Sequence, residues 1–219
     1  MKLLKALAAC AIALPSFVSA QAVDTLGVSD EGSGFEFRVG GYFLSGERNY
    51  SFNGAVAPTG SGQTRGVDVL LRGAGIGLYG KSITSTFTNQ PNVVSADANV
   101  LLGVPGFSFM GGAGARALSS NLGTQAIYFY RGGAMMTFPI GGTGLKASIM
   151  GAGYFPQDDT KMKPGGEGEA SLIYRPPGIP LFLQFGYRTE VFTTKSGSLT
   201  TPEEVRGLRL GGGILFGGY

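Results

Sequence analysis

From residue 35 onward, apolar side chains return at every second position, and no convincing stretch returns at helical spacing. Phe35, Phe37, Val39 and Phe43 alternate with Glu36, Arg38, Gly40 and Tyr42. Leu145, Ala147, Ile149 and Phe155 alternate with Lys146, Ser148, Met150 and Tyr154, and Leu181, Leu183, Phe185, Tyr187 and Val191 alternate with Phe182, Gln184, Arg188 and Glu190. A period of two sends successive side chains to opposite faces of a strand. Further strands are expected at about 66–80, 95–104, 107–118, 125–138, 167–175 and 205–218. The chain is therefore read as all-β.

Charges follow the same parity. Glu36 with Arg38, Asp68 with Arg72, Asp97 with Asn99, Glu167 with Glu169 and Arg188 with Glu190 each share one face of their strand. A soluble sandwich would also sort its polar residues, so parity alone does not choose the architecture. Glycine does. The polar face is interrupted by Gly40, Gly112, Gly114 and Gly133, residues wasted on a solvated surface but suited to a narrow, crowded interior. The polar face is read as the inside. Glycine is also the compositional outlier, 39 of 219 residues, more than twice the usual share of about 7%. With 43% hydrophobic content and 15 Phe, neither disorder nor a collagen repeat accounts for it.

The beginning of the chain carries an export pattern. Met1 to Lys5 holds two positive charges, Ala6 to Leu14 is an apolar core too short to span a bilayer, and Phe17-Val18-Ser19-Ala20 is a small-residue cleavage site before Gln21. Residues 1–20 are read as a secretory signal peptide, 21–34 as an N-terminal segment and 35–219 as the folded unit. Leu7-Ala8-Ala9-Cys10 resembles a lipoprotein cleavage box but comes too early, so Cys10 is read as part of the signal core and no disulfide is expected. Without Lys2 and Lys5 the chain holds 15 basic and 14 acidic residues, which leaves no electrostatic footprint for nucleic acid.

Turn composition and strand length extend the reading. Val104-Pro105-Gly106, 140–144 and 176–180 are short and rich in Gly or Pro, whereas 82–94, 156–165 and 194–204 read as longer polar loops. Tyr128 and Tyr130 lie near one end of their strand and Phe138 near the other. Ten residues separate Tyr128 from Phe138, about 25 Å at 3.3 Å per residue and a tilt near 40°, the height of a lipid-facing band between aromatic girdles. With Phe155 these residues form the expected girdle. Residues 98–115 carry no charge, but Pro105-Gly106 and the glycines there exclude a membrane helix.

A signal peptide, amphipathic strands, alternating loop lengths and a terminal aromatic together resemble the small outer-membrane β-barrel proteins of bacteria. The resemblance covers about residues 35–219 and is architectural. It implies a single antiparallel up-and-down transmembrane β-barrel of 8 to 10 strands in the outer membrane. The tenth-strand alternative splits 66–87 near Gly73-Ala74-Gly75, where the apolar parity flips; a bulge would flip it as well. It also implies a C-terminal aromatic read by the barrel-assembly machinery, Tyr219 or Phe216, although Tyr219 falls on the opposite parity from Leu208, Leu210, Ile214 and Phe216. Outer-membrane lipids and that machinery are the expected partners, with a monomer favoured.

The inward parity collects Glu36, Arg38, Asp68, Arg72, Arg116, Arg131, Lys146, Glu167, Glu169, Arg188, Glu190 and Arg209, seven basic and five acidic groups. Inside a narrow barrel they must pair, so an ion-pair network that plugs the lumen is expected. The function read from this is a non-enzymatic barrel, structural or surface-interacting. The alternatives are a narrow conduit for small solutes and an outer-membrane enzyme. The enzymes of that class use a histidine beside a serine or an aspartate, and this chain contains none. Asp158-Asp159 could imitate a carboxylate pair but sits in a polar stretch with Thr160 and Lys161. No glycine run leads into a phosphate-binding helix, and no His, Cys or acidic spacing makes a metal site. No cofactor is expected.

Overall fold

A computed structural model describes residues 35–52, 55–56, 60–73, 75–88, 90–104, 106–120, 123–141, 144–196 and 199–217. The signal-peptide reading, the N-terminal segment and Tyr219 lie outside the described residues. Eleven strands run in chain order: β1 (Phe35–Phe52), β2 (Ala55–Val56), β3 (Gly60–Gly73), β4 (Ile76–Phe87), β5 (Asn92–Val104), β6 (Phe107–Ser120), β7 (Gly123–Pro139), β8 (Leu145–Pro156), β9 (Met162–Tyr174), β10 (Leu181–Ser196) and β11 (Leu199–Gly217). The described residues contain no helix.

Every long strand pairs antiparallel with its sequence neighbour, and β1 pairs with both β3 and β11. The sheet thus closes into an up-and-down barrel of ten strands, with β2 a short extension of the β1–β3 hairpin. Following partners from Phe37 through Leu71, Leu78, Val100, Gly111, Gly132, Gly153, Gly166, Val191 and Glu204 returns to β1 at Asn49, a stagger of 12 residues. Ten strands so staggered tilt by about 40° around a barrel of roughly 10 Å backbone radius.

The parity flip at residues 73–75 is a hairpin, not a bulge: Gly73 pairs with Ile76, and Gly75 turns the chain at φ 86°. That settles the strand number at ten. Phe35 and Gly217 lie at the same end, called lower here, together with the β3–β4, β5–β6, β7–β8 and β9–β10 turns. Lower turns are tied to the next strands: the Gly75, Gly106 and Gly144 carbonyls accept from the backbone N–H groups of Gly103, Thr137 and Arg175 at 2.8, 2.7 and 2.9 Å.

The expected long upper loops are not there. β4 continues to Phe87 and β5 begins at Asn92, so 82–94 is mostly strand around a short connection at 88–91. Likewise 156–165 shrinks to 157–161, and Ser196 pairs directly with Leu199 inside 194–204. These segments are polar because their strands extend above the apolar part of the wall. Pairing continues there on Thr and Ser, which suit a pleated backbone without needing an apolar neighbour.

The outer wall is apolar over most of its height. On β10 alone Leu181, Leu183, Phe185, Tyr187 and Val191 are each 45–64% exposed, and the ten residues from Leu181 to Val191 rise about 25 Å at the barrel's tilt. The interior is not uniformly polar, as parity had implied. Leu70, Tyr79, Leu101, Met110, Met135 and Met150 form one buried cluster, Val93, Leu118, Ile127, Phe129, Tyr154, Met162 and Phe192 a second, and Ile173, Phe182 and Leu215 a third. A barrel this narrow is packed by side chains from all its strands, so apolar residues occupy both faces.

Candidate functional site: the lumenal ion-pair column

Between the apolar clusters the inward charges pair across the barrel. At the lower end Arg72 Nε and Nη2 donate to Glu36 Oε2 at 3.0 and 2.6 Å. Asp68 lies 3.7 Å from Arg38 and 3.0 Å from Arg209. Arg209 Nη1 also donates to both oxygens of Glu169 at 2.6 Å, and its guanidinium lies 4.0 Å from the Tyr42 ring centroid. Gln184 Nε2 completes this layer with bonds to Glu169 at 3.1 Å and Ser171 Oγ at 2.8 Å.

Glu167 is the centre of the column. It accepts from Lys81 and Arg131, from Arg188 at 2.5 Å and from the Tyr154 hydroxyl at 2.6 Å. Each of those cations has a second carboxylate: Asp97 is 3.5 Å from Lys81 and 3.0 Å from Arg131, and Glu190 is 2.9 Å from Arg188. Asn99 Nδ2 steadies Asp97 with a bond of 2.7 Å. Above, Arg116 joins Glu190 at 2.6 Å to Glu203 at 2.8 Å, and Arg48 reaches Glu203 at 2.7 Å and the Pro91 carbonyl at 2.8 Å. That last bond holds the β4–β5 connection over the upper mouth. Shared carboxylates make the arrangement affordable, because an isolated charge removed from water costs several kcal/mol.

The positions anticipated from parity are therefore largely inside: Glu36, Arg38, Asp68, Arg72, Arg116, Arg131, Glu167, Glu169, Arg188, Glu190 and Arg209 are all buried. Lys146 differs; it is half-buried at the lower rim, in register with Pro139 and Ile173. The column has four further members, Arg48, Lys81, Asp97 and Glu203, all buried. Asp97 shares its strand face with Asn99 in the sequence, a parity that marks it as inward although it is not among the twelve charges expected in the lumen. The other three fall in segments without an apolar outer parity; for Lys81 the signal that could have found it is the inward alternation continuing through Ile83, Ser85 and Phe87.

Side chains fill most of the remaining interior. Phe182 lies against Gly40 and the Tyr42 ring against Gly66, where an added Cβ would meet ring carbons, at 2.7 Å in the first case. A cavity of about 20 Å³ remains beside Tyr42, Ser85, Arg116, Arg188 and Glu190, room for about one water molecule.

The girdle residues face outward. Tyr130, Phe138 and Phe155 are exposed and Tyr128 is half-buried, with Tyr130 paired to Phe155 across β7 and β8. Phe216 also faces outward and stacks on Phe37, ring centroids 6.5 Å apart. Asp158 shapes the 157–161 turn: the Thr160 backbone N–H and hydroxyl donate to its Oδ1 at 2.9 and 2.5 Å and hold its carboxyl below the ordinary range. Among the described residues no group of three or more His, Cys, Asp or Glu could hold a metal ion.

The sequence matches no protein-family model and no curated protein. Among solved structures it is similar to the TodX monoaromatic hydrocarbon channel deltaS2 mutant, with 8% identity over 88% of this chain and 92% of that chain and a TM-score of 0.25. At that distance, the fold and role of this chain rest on its own residues.

Proposed function

We propose that this chain is a non-enzymatic barrel of a bacterial outer membrane, a structural or surface-interaction protein whose lumen is closed by its own side chains. The observation that carries the reading is the pairing of two faces. The outside is apolar over about 25 Å, which water would penalise and a bilayer accepts. The inside holds ion pairs from Glu36 at the lower end to Arg48 beneath the upper mouth. A closed barrel satisfies every ladder hydrogen bond, as a spanning sheet must. Its partners are then outer-membrane lipids and the barrel-assembly machinery, and it acts as a monomer. Of the upper connections, those described at 88–91 and 157–161 are short and offer little loop surface, which favours the structural role over capture of an external ligand.

Cell fractionation and planar-bilayer recording of the refolded protein test this. The protein is expected in the outer membrane, with faster gel mobility before heating and no resolved conductance steps. Recovery as a soluble periplasmic protein overturns the membrane reading, and discrete steps overturn the closed lumen.

A further inference from the structure

The outer wall is not uniform around its upper edge. On β10 and β5 the exposed apolar residues continue up to Val191 and Val94. On β1, β3, β4 and β11 the outward positions change to Ser45 and Glu47, Gln63 and Arg65, Thr84 and Thr86, and Glu204 and Arg206. Arg65 stands at the border: Val67, the next outward residue below it, is apolar and 50% exposed, and Phe43 and Thr84 are its register partners. Arg65 has no carboxylate partner among the described residues. Arg206 is about half exposed and lies 3.6 Å from Glu47, an open pair with little to hold it.

On β1, β3 and β4 lies an open groove of about 580 Å³, flanked by Arg65, the next outward residue below Gln63, and by Arg206 on β11, beyond the Ser45 side. Ser45, Gln63 and Thr86 form one cross-strand row along it, with Ser61 and Thr88 nearby. Hydroxyls and an amide on the lipid-facing side, just above an apolar band, suit a sugar better than an acyl chain. An arginine at that height extends toward the headgroups, and its planar fork matches phosphate. Arg65 and Arg206 are two strands and four residues apart, about 16 Å between Cα positions, so two long side chains can reach two phosphates on one headgroup.

Taking the lower end, which carries both Phe35 and Gly217, as the periplasmic one, we propose that this groove binds one phosphorylated glycolipid of the outer leaflet, with Arg65 and Arg206 on its phosphates and Ser45, Gln63 and Thr86 on its sugars. The inference rests on the outer-membrane reading above. The site asks for both phosphate and sugar, so neither a free anion nor a glycerol-based anionic lipid satisfies it.

The test uses the refolded protein in nanodiscs of phosphatidylcholine with lipid A, dephosphorylated lipid A or phosphatidylglycerol as a minor component, and native mass spectrometry to count retained lipid. Lipid A is expected to be retained at one per barrel, Arg65→Gln to weaken retention about tenfold, and the Arg65→Gln/Arg206→Gln pair to abolish it. Arg65→Lys keeps the charge without the fork and should retain part of the binding. Equal retention of phosphatidylglycerol, displacement of lipid A by millimolar inorganic phosphate, or unchanged retention in the double variant overturns the site. Heat-dependent gel mobility, read on the same samples, scores insertion separately. A chain that inserts but does not discriminate among the lipids sinks the groove alone, whereas one that enters no bilayer sinks the membrane reading.

Discussion

Neutralising Glu167 is the sharpest test of the lumenal column. Glu167→Gln keeps the shape and removes the charge on which Lys81, Arg131 and Arg188 converge. Each cation keeps one other carboxylate, Asp97 for Lys81 and Arg131 and Glu190 for Arg188. Asp97 would then serve two cations alone, and the new amide N–H groups would face cations. Breaking a buried pair costs about 3–5 kcal/mol, and the surviving partners place the expected loss near about 3 kcal/mol. The exposed pair Arg206–Glu47 is the control, worth at most about 1 kcal/mol. The measurement is equilibrium urea unfolding from phosphatidylcholine vesicles, followed by circular dichroism and unheated gel mobility, since the chain has no Trp to report. Adding Lys81→Met to Glu167→Gln removes a stranded cation and should restore part of the loss, a coupling that a purely local packing defect would not show. A Glu167→Gln protein within about 1 kcal/mol of the unaltered one would refute the column as a source of stability.

Two further outcomes bear on the wall. Phe185→Arg should cost about 2–4 kcal/mol in the same unfolding assay, because Phe185 faces outward near the middle of the apolar band between Leu172 and Leu210; a neutral result would put that face outside the bilayer. Phe216→Ala removes the ring stacked on Phe37 at the closing β1–β11 seam and should slow assembly, read as reduced outer-membrane yield at early times after induction; an unchanged yield removes Phe216 as an assembly signal.

Parity was legible in the sequence wherever one side of a strand differed chemically from the other. Phe35 to Phe43 and Leu181 to Val191 show it fully, and the flip at 73–75 already offered the hairpin. What was not legible follows from two physical causes. Strand pairing does not stop where the hydrocarbon band stops, so Thr84, Thr86, Thr194 and Thr201 extend the sheet while reading as loop, and Arg48, Lys81 and Glu203 escape the sequence reading with them. The second cause is the narrow bore. On β7 Ile127, Phe129 and Met135 point inward while Tyr128, Tyr130 and Met136 point outward. Both parities are then apolar and the alternation vanishes, although the strand is as regular as its neighbours.

The same two-sidedness decides what each glycine is for, and neighbouring glycines give opposite answers. At Gly111 an added Cβ meets nothing within 4 Å, and at Gly132 it meets only Phe155 and the Met110 carbonyl, near 4 Å. One residue further the side chain would point into the lumen: a Cβ on Gly112 would lie 2.7 Å from Asn99 Cα, and one on Gly133 2.6 Å from Ala152 Cα. Backbone on the adjacent strand cannot swing aside as a flexible side chain can. Gly111→Ala and Gly132→Ala should therefore be neutral, or stabilising by about 0.4–1 kcal/mol through the unfolded chain. Gly112→Ala and Gly133→Ala should cost about 1–3 kcal/mol by overpacking, and more if the β5–β6 or β7–β8 ladder must part. Because each pair sits on one strand at adjacent positions, strand propensity, chain position and depth in the membrane are nearly matched, and only the facing differs. The four variants are compared by urea midpoint in the same vesicles. Equal losses at 111 and 112, and at 132 and 133, would mean that glycine is required for the backbone and not for the bore, and the crowded-lumen argument that first placed the polar face inside would fall.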